Sequence, residues 1–184
     1  MILETQRLYL REMADDDFDA LRRVLGDADI MRHYPYSFDD QRIRGWIARN
    51  RERYSIFGFG LWAVCRKDTG EMIGDCGLTM QIINGQIRPE IGYHIRTDHQ
   101  RQGFATEAAR AVRDWTWQNT PFRAVYSYMK AENLPSIRTA VAYSCTEAGE
   151  FRDEEGVISK IYALTRKKWE EMSCGISHCR KNLR

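Results

Sequence analysis

Apolar and polar positions along this chain change period several times, and each change predicts an element. From Gln6 to Arg11, Leu8 and Leu10 alternate with Arg7, Tyr9 and Arg11, the two-residue period of a half-buried strand. Asp15, Asp16 and Asp17 then offer caps and first-turn negative charge, and Phe18, Leu21, Val24 and Leu25 follow at helical spacing as far as Gly26 and Asp27. Ser37 or Asp39 can cap a second helix, with Ile43, Trp46 and Ile47 on its buried face and Arg42, Arg44, Arg49 and Arg51 on its wet one. The aromatic stretch between them, IMRHYPYSF at 30–38, reads as an ordered loop or short turn. Strands are expected at 59–66, 71–83 and 86–96, and Asn84-Gly85 between two apolar alternations is a strong hairpin signal.

A helix at about 103–118 ends before Thr120-Pro121, and a strand covers 122–130. A further helix starts at Asn133 or Ser136 and runs to about Tyr143. Two last strands, near 147–152 and 157–166, are joined by the acidic turn Asp153-Glu154-Glu155-Gly156. From Lys167 the chain turns polar and is expected to fray, so a single domain over 1–170 with a polar tail at 171–184 is the expected organisation.

The order is β-α-α-β-β-β-α-β-α-β-β, which predicts an α+β fold: a mixed, mostly antiparallel sheet of about six or seven strands flanked by helices. A doubly wound nucleotide-binding fold does not fit, because three strands run in succession before the first phosphate-type turn, and that turn has one Gly where G-x-G-x-x-G needs three. The turn itself, Gln100-Arg101-Gln102-Gly103-Phe104-Ala105, lies between a strand and a helix start. The first N–H groups of a helix have no intrahelical partner and sit at the positive end of the macrodipole, so a phosphate-bearing ligand is expected there.

Length and composition narrow the function. At 184 residues the chain can bury a sizeable core, and its 43% hydrophobic content is that of a folded protein. A formal net charge of +2 gives no reason to expect nucleic acid or an acidic membrane. The N-terminus has no basic segment followed by a long apolar run, and no apolar run reaches bilayer length, so no signal peptide, no membrane span and a cytoplasmic location are expected. Five scattered cysteines fit free thiols in a reducing compartment. Cys174, His178 and Cys179 lie close in sequence, but no second ligand pair at matching spacing accompanies them, and no metal is expected.

The motifs together resemble the GNAT (Gcn5-related) N-acetyltransferase superfamily. Residues 100–105 match its acetyl-CoA pattern Q/R-x-x-G-x-G/A, directly after a strand of the form Glu90-Ile91-Gly92-Tyr93 and directly before a long helix. ETQRLYLRE, EMIGDCGL, AENLPSIRTAVAYS and YALTRKKW are similar, in order, to segments of the ribosomal-protein alanine acetyltransferase branch, so the resemblance covers residues about 2–169. It implies two central parallel strands, here about 90–96 and 122–130, that splay apart around acetyl-CoA. The pantetheine arm would pair with the main chain around Tyr93, His94 and Ile95, and the pyrophosphate would cap the helix around Gln100, Arg101, Gln102, Gly103, Phe104, Ala105 and Thr106. Asn133 and Ser136 would form the opposite wall.

The implied reaction is direct attack of a primary amine on the thioester in a ternary complex. An amine is mostly protonated at pH 7, so a base or water relay is needed. Glu90 is the first choice, although a carboxylate at a strand start can also face solvent. His94 shares its face by two-residue alternation and can relay protons or simply pack. The Ile95 N–H can donate to the oxyanion. Ser136 can assist the leaving thiolate or can only cap its helix; many relatives have a Tyr at the position of Ala140, and Tyr143 cannot simply take that role. Where the family usually has Gly to end this helix, the chain has Ser144, a change expected to loosen or reshape that end. His33, Tyr34 and Tyr36 are candidates for the acceptor wall or can simply pack against the second helix, and Asp153, Glu154 and Glu155 would favour a cationic acceptor or form only a solvated turn. The acceptor itself, a protein N-terminus or a small amine, is left open, as is monomer or homodimer. A non-catalytic CoA-binding module and a nucleotide- or nucleic-acid-binding domain are the competing classes.

Overall fold

The computed structural model describes residues 1–34, 37–153 and 155–181, with side chains in the last helix described to residue 172 and at Cys174. Strand β1 spans Leu3–Glu4 and β2 Leu8–Arg11. Three helices follow, α1 (Phe18–Leu25), α2 (Ala28–Met31) and α3 (Asp40–Phe57). Strands β3 (Leu61–Arg66), β4 (Met72–Ile83) and β5 (Gln86–Ile95) lead into α4 (Phe104–Asn119). Then come β6 (Ala124–Lys130), α5 (Leu134–Ala142), β7 (Thr146–Arg152), β8 (Ile158–Thr165) and α6 (Arg166–Lys181).

The strands form one eight-stranded sheet in the order β1-β2-β3-β4-β5-β6-β8-β7. The eighth, beyond the expected seven, is the two-residue β1, too short to leave a periodic signal. Neighbours pair antiparallel except β5 and β6, which run parallel and meet at Glu90 opposite Tyr126. Past that point they part, while β5 stays in register with β4 as far as Ile95 and β6 stays paired with β8 as far as Lys130. The splay expected from the resemblance is therefore present, and it opens beyond Glu90.

Strand alternation builds a core on each face. One face sets Leu8, Leu10, Trp62, Val64 and Ile91 against Phe104, Ala108 and Val112 of α4. The other sets Leu61, Ala63 and Cys65 against Leu21 and Val24 of α1 and Ile43 and Ile47 of α3. Burial of each such large side chain contributes about 1.5–3 kcal/mol. Helix starts follow local chemistry. Asp39, not Ser37, caps α3 by accepting from the Arg42 N–H at 2.8 Å. Asp27 caps the short α2, whose last two residues fall in the stretch read as loop.

The polar stretch after Lys167 does not fray as expected: its backbone is helical through Lys181. Trp169 anchors the start, donating from Nε1 to Asp114 at 2.9 Å and lying 6.2 Å from the Trp117 ring. Cys65, Cys76 and Cys145 are buried free thiols and Cys174 is exposed; the side chains of His178 and Cys179 lie outside the described residues. Among the described residues no helix is long and apolar enough to cross a membrane.

Candidate active site

The turn before α4 is shaped by two left-handed residues, Arg101 at φ +60 and Gly103 at φ +84. Gly103 is the N-cap of α4 and has no side chain to satisfy the first N–H groups, which leaves those of Phe104, Ala105 and Thr106 at the helix end for an external acceptor. The Phe104 ring is buried in the core beneath the Arg7 guanidinium, 4.4 Å away, so Phe104 reaches the turn only through its main chain. Arg7 also donates to the Gln102 carbonyl at 3.0 Å and to Glu107 at 2.7 Å, and a Cβ built on Gly103 would lie 3.4 Å from its Nη2. Side chains brace the turn from behind: Gln100 donates to the Ile95 carbonyl at 2.9 Å and Gln102 to the Asp98 carbonyl at 3.1 Å. Arg101 is exposed beside the helix end.

The turn opens onto the splay. A Cβ on Gly74 would lie 2.0 Å from the His94 carbonyl, so the His94 main chain faces β4. By alternation the main chains of Tyr93 and Ile95 face the gap. This corrects one expectation: His94 can contribute to the site through its side chain but offers no main-chain edge to a strand-like ligand. Across the gap, Ser127 Oγ donates to the Ile91 carbonyl at 2.6 Å and bonds the Tyr143 hydroxyl at 2.7 Å. Tyr143 is fully buried, and burial pushes its hydroxyl well above the ordinary phenol range, so it is a structural wedge and not an available acid.

Helix α5 forms the far wall. Asn133 is its cap, accepting from the Ser136 N–H at 3.2 Å, which leaves the Asn133 amide donors free of that task. Ser136 therefore does not cap the helix; its carbonyl accepts from Tyr93 Oη at 2.8 Å and its hydroxyl has no capping duty. Ala140 is buried. The helix ends with Ser144 at φ +85, where the Ser144 N–H reaches the Val141 carbonyl (2.9 Å) and the Cys145 N–H the Ala140 carbonyl (3.0 Å). That is a complete Schellman end built without glycine. The expected loosening does not occur.

On the opposite face of β4 and β5 three cross-strand pairs line up: Thr79 with Glu90, Gly77 with Gly92, and Asp75 with His94. The glycine pair separates two polar ends and lets the start of β3 pack close between them. A Cβ on Gly77 would strike the Gly60 carbonyl at 2.0 Å, and one on Gly92 would meet Leu61 at 3.4 Å and Glu90 Oε2 at 3.8 Å. Glu90 accepts from the Thr79 hydroxyl at 3.3 Å. Burial pushes its carboxyl up to about 7, against the opposing pull of that hydroxyl bond and of His94 and Arg53.

At the other end Asp75, fully buried, holds His94 Nδ1 at 2.7 Å and accepts from Trp46 Nε1 at 2.9 Å. His94 Nε2 lies 2.9 Å from Tyr34 Oη. Burial alone would lower the His94 pKa, but the charge and hydrogen bond of Asp75, aided by Glu90, raise it overall. His33 from the same loop reaches Glu132, 3.5 Å away, and burial followed by the Arg32 charge lowers its pKa.

Of the three acceptor-wall candidates, Tyr34 bonds His94, His33 faces Glu132, and Tyr36 lies outside the described residues. The acidic turn does less: the Asp153 carboxylate accepts from the N–H groups of Glu155 and Val157 at 3.1 and 2.8 Å, shaping its own loop, and Glu154 is outside the described residues. Asp75 and Trp46 were missed from sequence. Asp75 sits within the apolar run Met72–Ile83, where a lone carboxylate at a core position was a usable signal. Trp46 looked like a core residue, and its ring is half-buried, facing the site.

Comparison with known proteins places this architecture. The acetyltransferase (GNAT) domain model matches residues 7–143. Uncharacterized protein YkkB of Bacillus subtilis (strain 168) is 36% identical over 139 residues, 75% of this chain and 81% of its own length. The uncharacterized N-acetyltransferase p20 of Bacillus licheniformis is 29% identical over 174 residues, 91% of this chain and 97% of its own. Among solved structures, the acetyltransferase (GNAT family) from Bacillus anthracis superposes with a TM-score of 0.79 at 20% identity, covering 91% of this chain and 99% of that one. A strand-turn-helix anion site beside two splayed parallel strands, matched by a family model over most of its length, means that the chain belongs to the GNAT acetyltransferase family.

Proposed function

We propose that this protein transfers the acetyl group of acetyl-CoA to a primary amine by direct attack in a ternary complex. The observation that carries this reading is the position of Glu90, half-buried at the point where β5 and β6 part. The pyrophosphate of acetyl-CoA would sit on the N–H groups of residues 102–106, with Arg101 adding a charged contact. Its pantetheine arm would run along the main chain of Tyr93 and Ile95 and receive a hydrogen bond from Asn133.

Each residue then has a task. Glu90 takes a proton from the incoming ammonium; a carboxyl titrating near 7 is matched to that work at neutral pH. The freed amine attacks the thioester carbonyl, forming the C–N bond. The Ile95 N–H, facing the gap, donates to the oxyanion. As the C–S bond breaks, the remaining excess proton on nitrogen passes to the leaving sulfur, to which the Ser136 hydroxyl donates a hydrogen bond, so that amide and CoA thiol leave. His94, held by Asp75, and Tyr34 connect this face of β5 to the loop that carries Tyr34.

The same proposal puts the protein in the cytoplasm, where acetyl-CoA and free thiols coexist, as monomer or homodimer. The test is release of CoA thiol from acetyl-CoA across a panel of peptides, amino acids, polyamines and amino sugars. Amine-dependent release supports the reading. Tight acetyl-CoA binding with no release on any amine overturns it in favour of a non-catalytic CoA-binding module.

A further inference from the structure

Strand β6 brings a second set of side chains to Glu90. Glu90 and Tyr126 are paired across the two parallel strands, so their side chains leave the sheet side by side on one face. Alternation adds Tyr128 and Lys130 from β6 and Arg88 from β5 to that face. Along β5 the way to Glu90 is closed: its Oε2 lies 3.8 Å from the Cβ position of Gly92, and the Leu61 side chain sits 3.4 Å from the same point. The carboxylate is half-buried, and the approach left to it runs across β6.

This part of the sheet carries an aromatic surface of its own. The buried residues beneath α1 and α3 include none from β6, β7 or β8, and Val125 and Leu164 pack with α4 and α5 on the other side. Ile161, cross-strand from Tyr128, is buried all the same, at 3% exposure. The half-buried Tyr128 and Phe151 rings lie 6.1 Å apart on this face, and the Arg88 guanidinium steadies the Tyr126 ring from 4.6 Å. Gly149, opposite Ile161 on β7, has open space where a Cβ would point. The result is a shelf of rings that starts beside Glu90 and ends at the edge strand.

The charges on this face suit a single cation. Arg88 and Lys130 stand at the two ends of the shelf, two residues before Glu90 on β5 and two after Tyr128 on β6. The β7 acids Glu147 and Glu150 hold Lys160, which is cross-strand from Met129 on the helix-covered face. Among the described strand residues of this shelf, Glu90 is the acid that an incoming ammonium meets.

We propose that the acceptor is an arylalkylamine, a primary amine carried on a short carbon chain from an aromatic ring. Its ammonium meets Glu90, and its ring lies on Tyr126, Tyr128 and Phe151, where edge-on and offset ring contacts are available. From Glu90 to Tyr128 is one strand spacing across and two residues along, roughly 8 Å, a span that a two-carbon spacer covers. A polyamine would set its further charges against Arg88 or Lys130. The inference rests on acetyl transfer taking place at Glu90.

The test follows CoA release with phenethylamine, tyramine, butylamine and spermidine, and acetyl-CoA binding by calorimetry. Wild type is expected to favour the two ring-bearing amines at least tenfold in kcat/KM. Phe151→Ser and Tyr128→Leu should each cut the phenethylamine-to-butylamine ratio at least fivefold, and Phe151→Tyr should keep it. Phe151 lies on the edge strand, so its variants read the ratio should Tyr128→Leu fail to fold. Arg88→Gln and Lys130→Gln should each raise kcat/KM for spermidine at least threefold. Equal use of butylamine, a preference for spermidine, or a ratio that survives both Phe151→Ser and Tyr128→Leu overturns the inference while acetyl transfer stands. Acetyl-CoA binding with no turnover on any amine instead overturns the proposed function, and this inference with it.

Discussion

Asp75 and His94 face each other across two antiparallel strands, Oδ1 to Nδ1 at 2.7 Å, with the acid fully buried. The bond fixes which His94 nitrogen meets Tyr34 and favours the imidazolium. Asp75→Asn keeps the shape and removes the charge. It should drop the His94 pKa below its ordinary value, since burial is then the dominant influence; imidazole NMR titration measures this. The sign for stability follows: a raised His pKa contributes stability below about pH 6.5 that is lost as pH rises through the folded value, so the variant should lose about 1–3 kcal/mol in acid and less in base. An unmoved His94 titration would refute the pairing.

Glu90 carries the opposite sign. Its carboxyl is raised by burial, so ionising it disfavours the folded state, and wild-type stability should fall as pH rises from about 4.5 to 7. Glu90→Gln should therefore stabilise the fold by about 1–3 kcal/mol above pH 7 and by nothing near pH 4. The same variant should slow turnover about 100-fold and flatten a pH–rate profile that in wild type climbs through about 7. Denaturant melts at two pH values and initial rates check both halves; a variant with full wild-type rate removes Glu90 as base.

Gly103 can be tested through its backbone. At φ +84 a β-branched residue is strained by roughly 1–2 kcal/mol, and its Cβ crowds the helix end. Gly103→Val is expected to weaken acetyl-CoA binding at least tenfold by calorimetry. Unchanged affinity would sink the pyrophosphate assignment.

Ser144 offers a gain. A serine occupies the left-handed end of α5 where glycine is unstrained. Ser144→Gly should stabilise the protein by about 1 kcal/mol with no change in rate, read as a shifted denaturation midpoint. A destabilised variant would show that the hydroxyl has a role of its own.

The fold was readable where local chemistry dictates it. The alternation at 86–95, the Asn84-Gly85 turn and the strand-turn-helix run around Gly103 all lie where residue patterns place them. Elements fixed by tertiary contact were not readable: two-residue β1 exists by pairing with β2, and α6 is anchored by Trp169 on Asp114. The candidate site divides likewise. Glu90 and the turn are local signals, whereas Asp75 and Trp46 gain meaning only when α3 is laid across β4 and β5.

The Ser127–Tyr143 wedge has a consequence for binding. Two hydroxyls take the place of the ladder bonds that would zip β5 to β6, so the opening is held by the chain's own packing. A ligand arriving there need not prise strands apart or order a loose wall. Its affinity is then set by contacts formed and water released rather than by rearrangement of the sheet. Removing the Tyr143 hydroxyl would alter that balance from a position that no ligand touches.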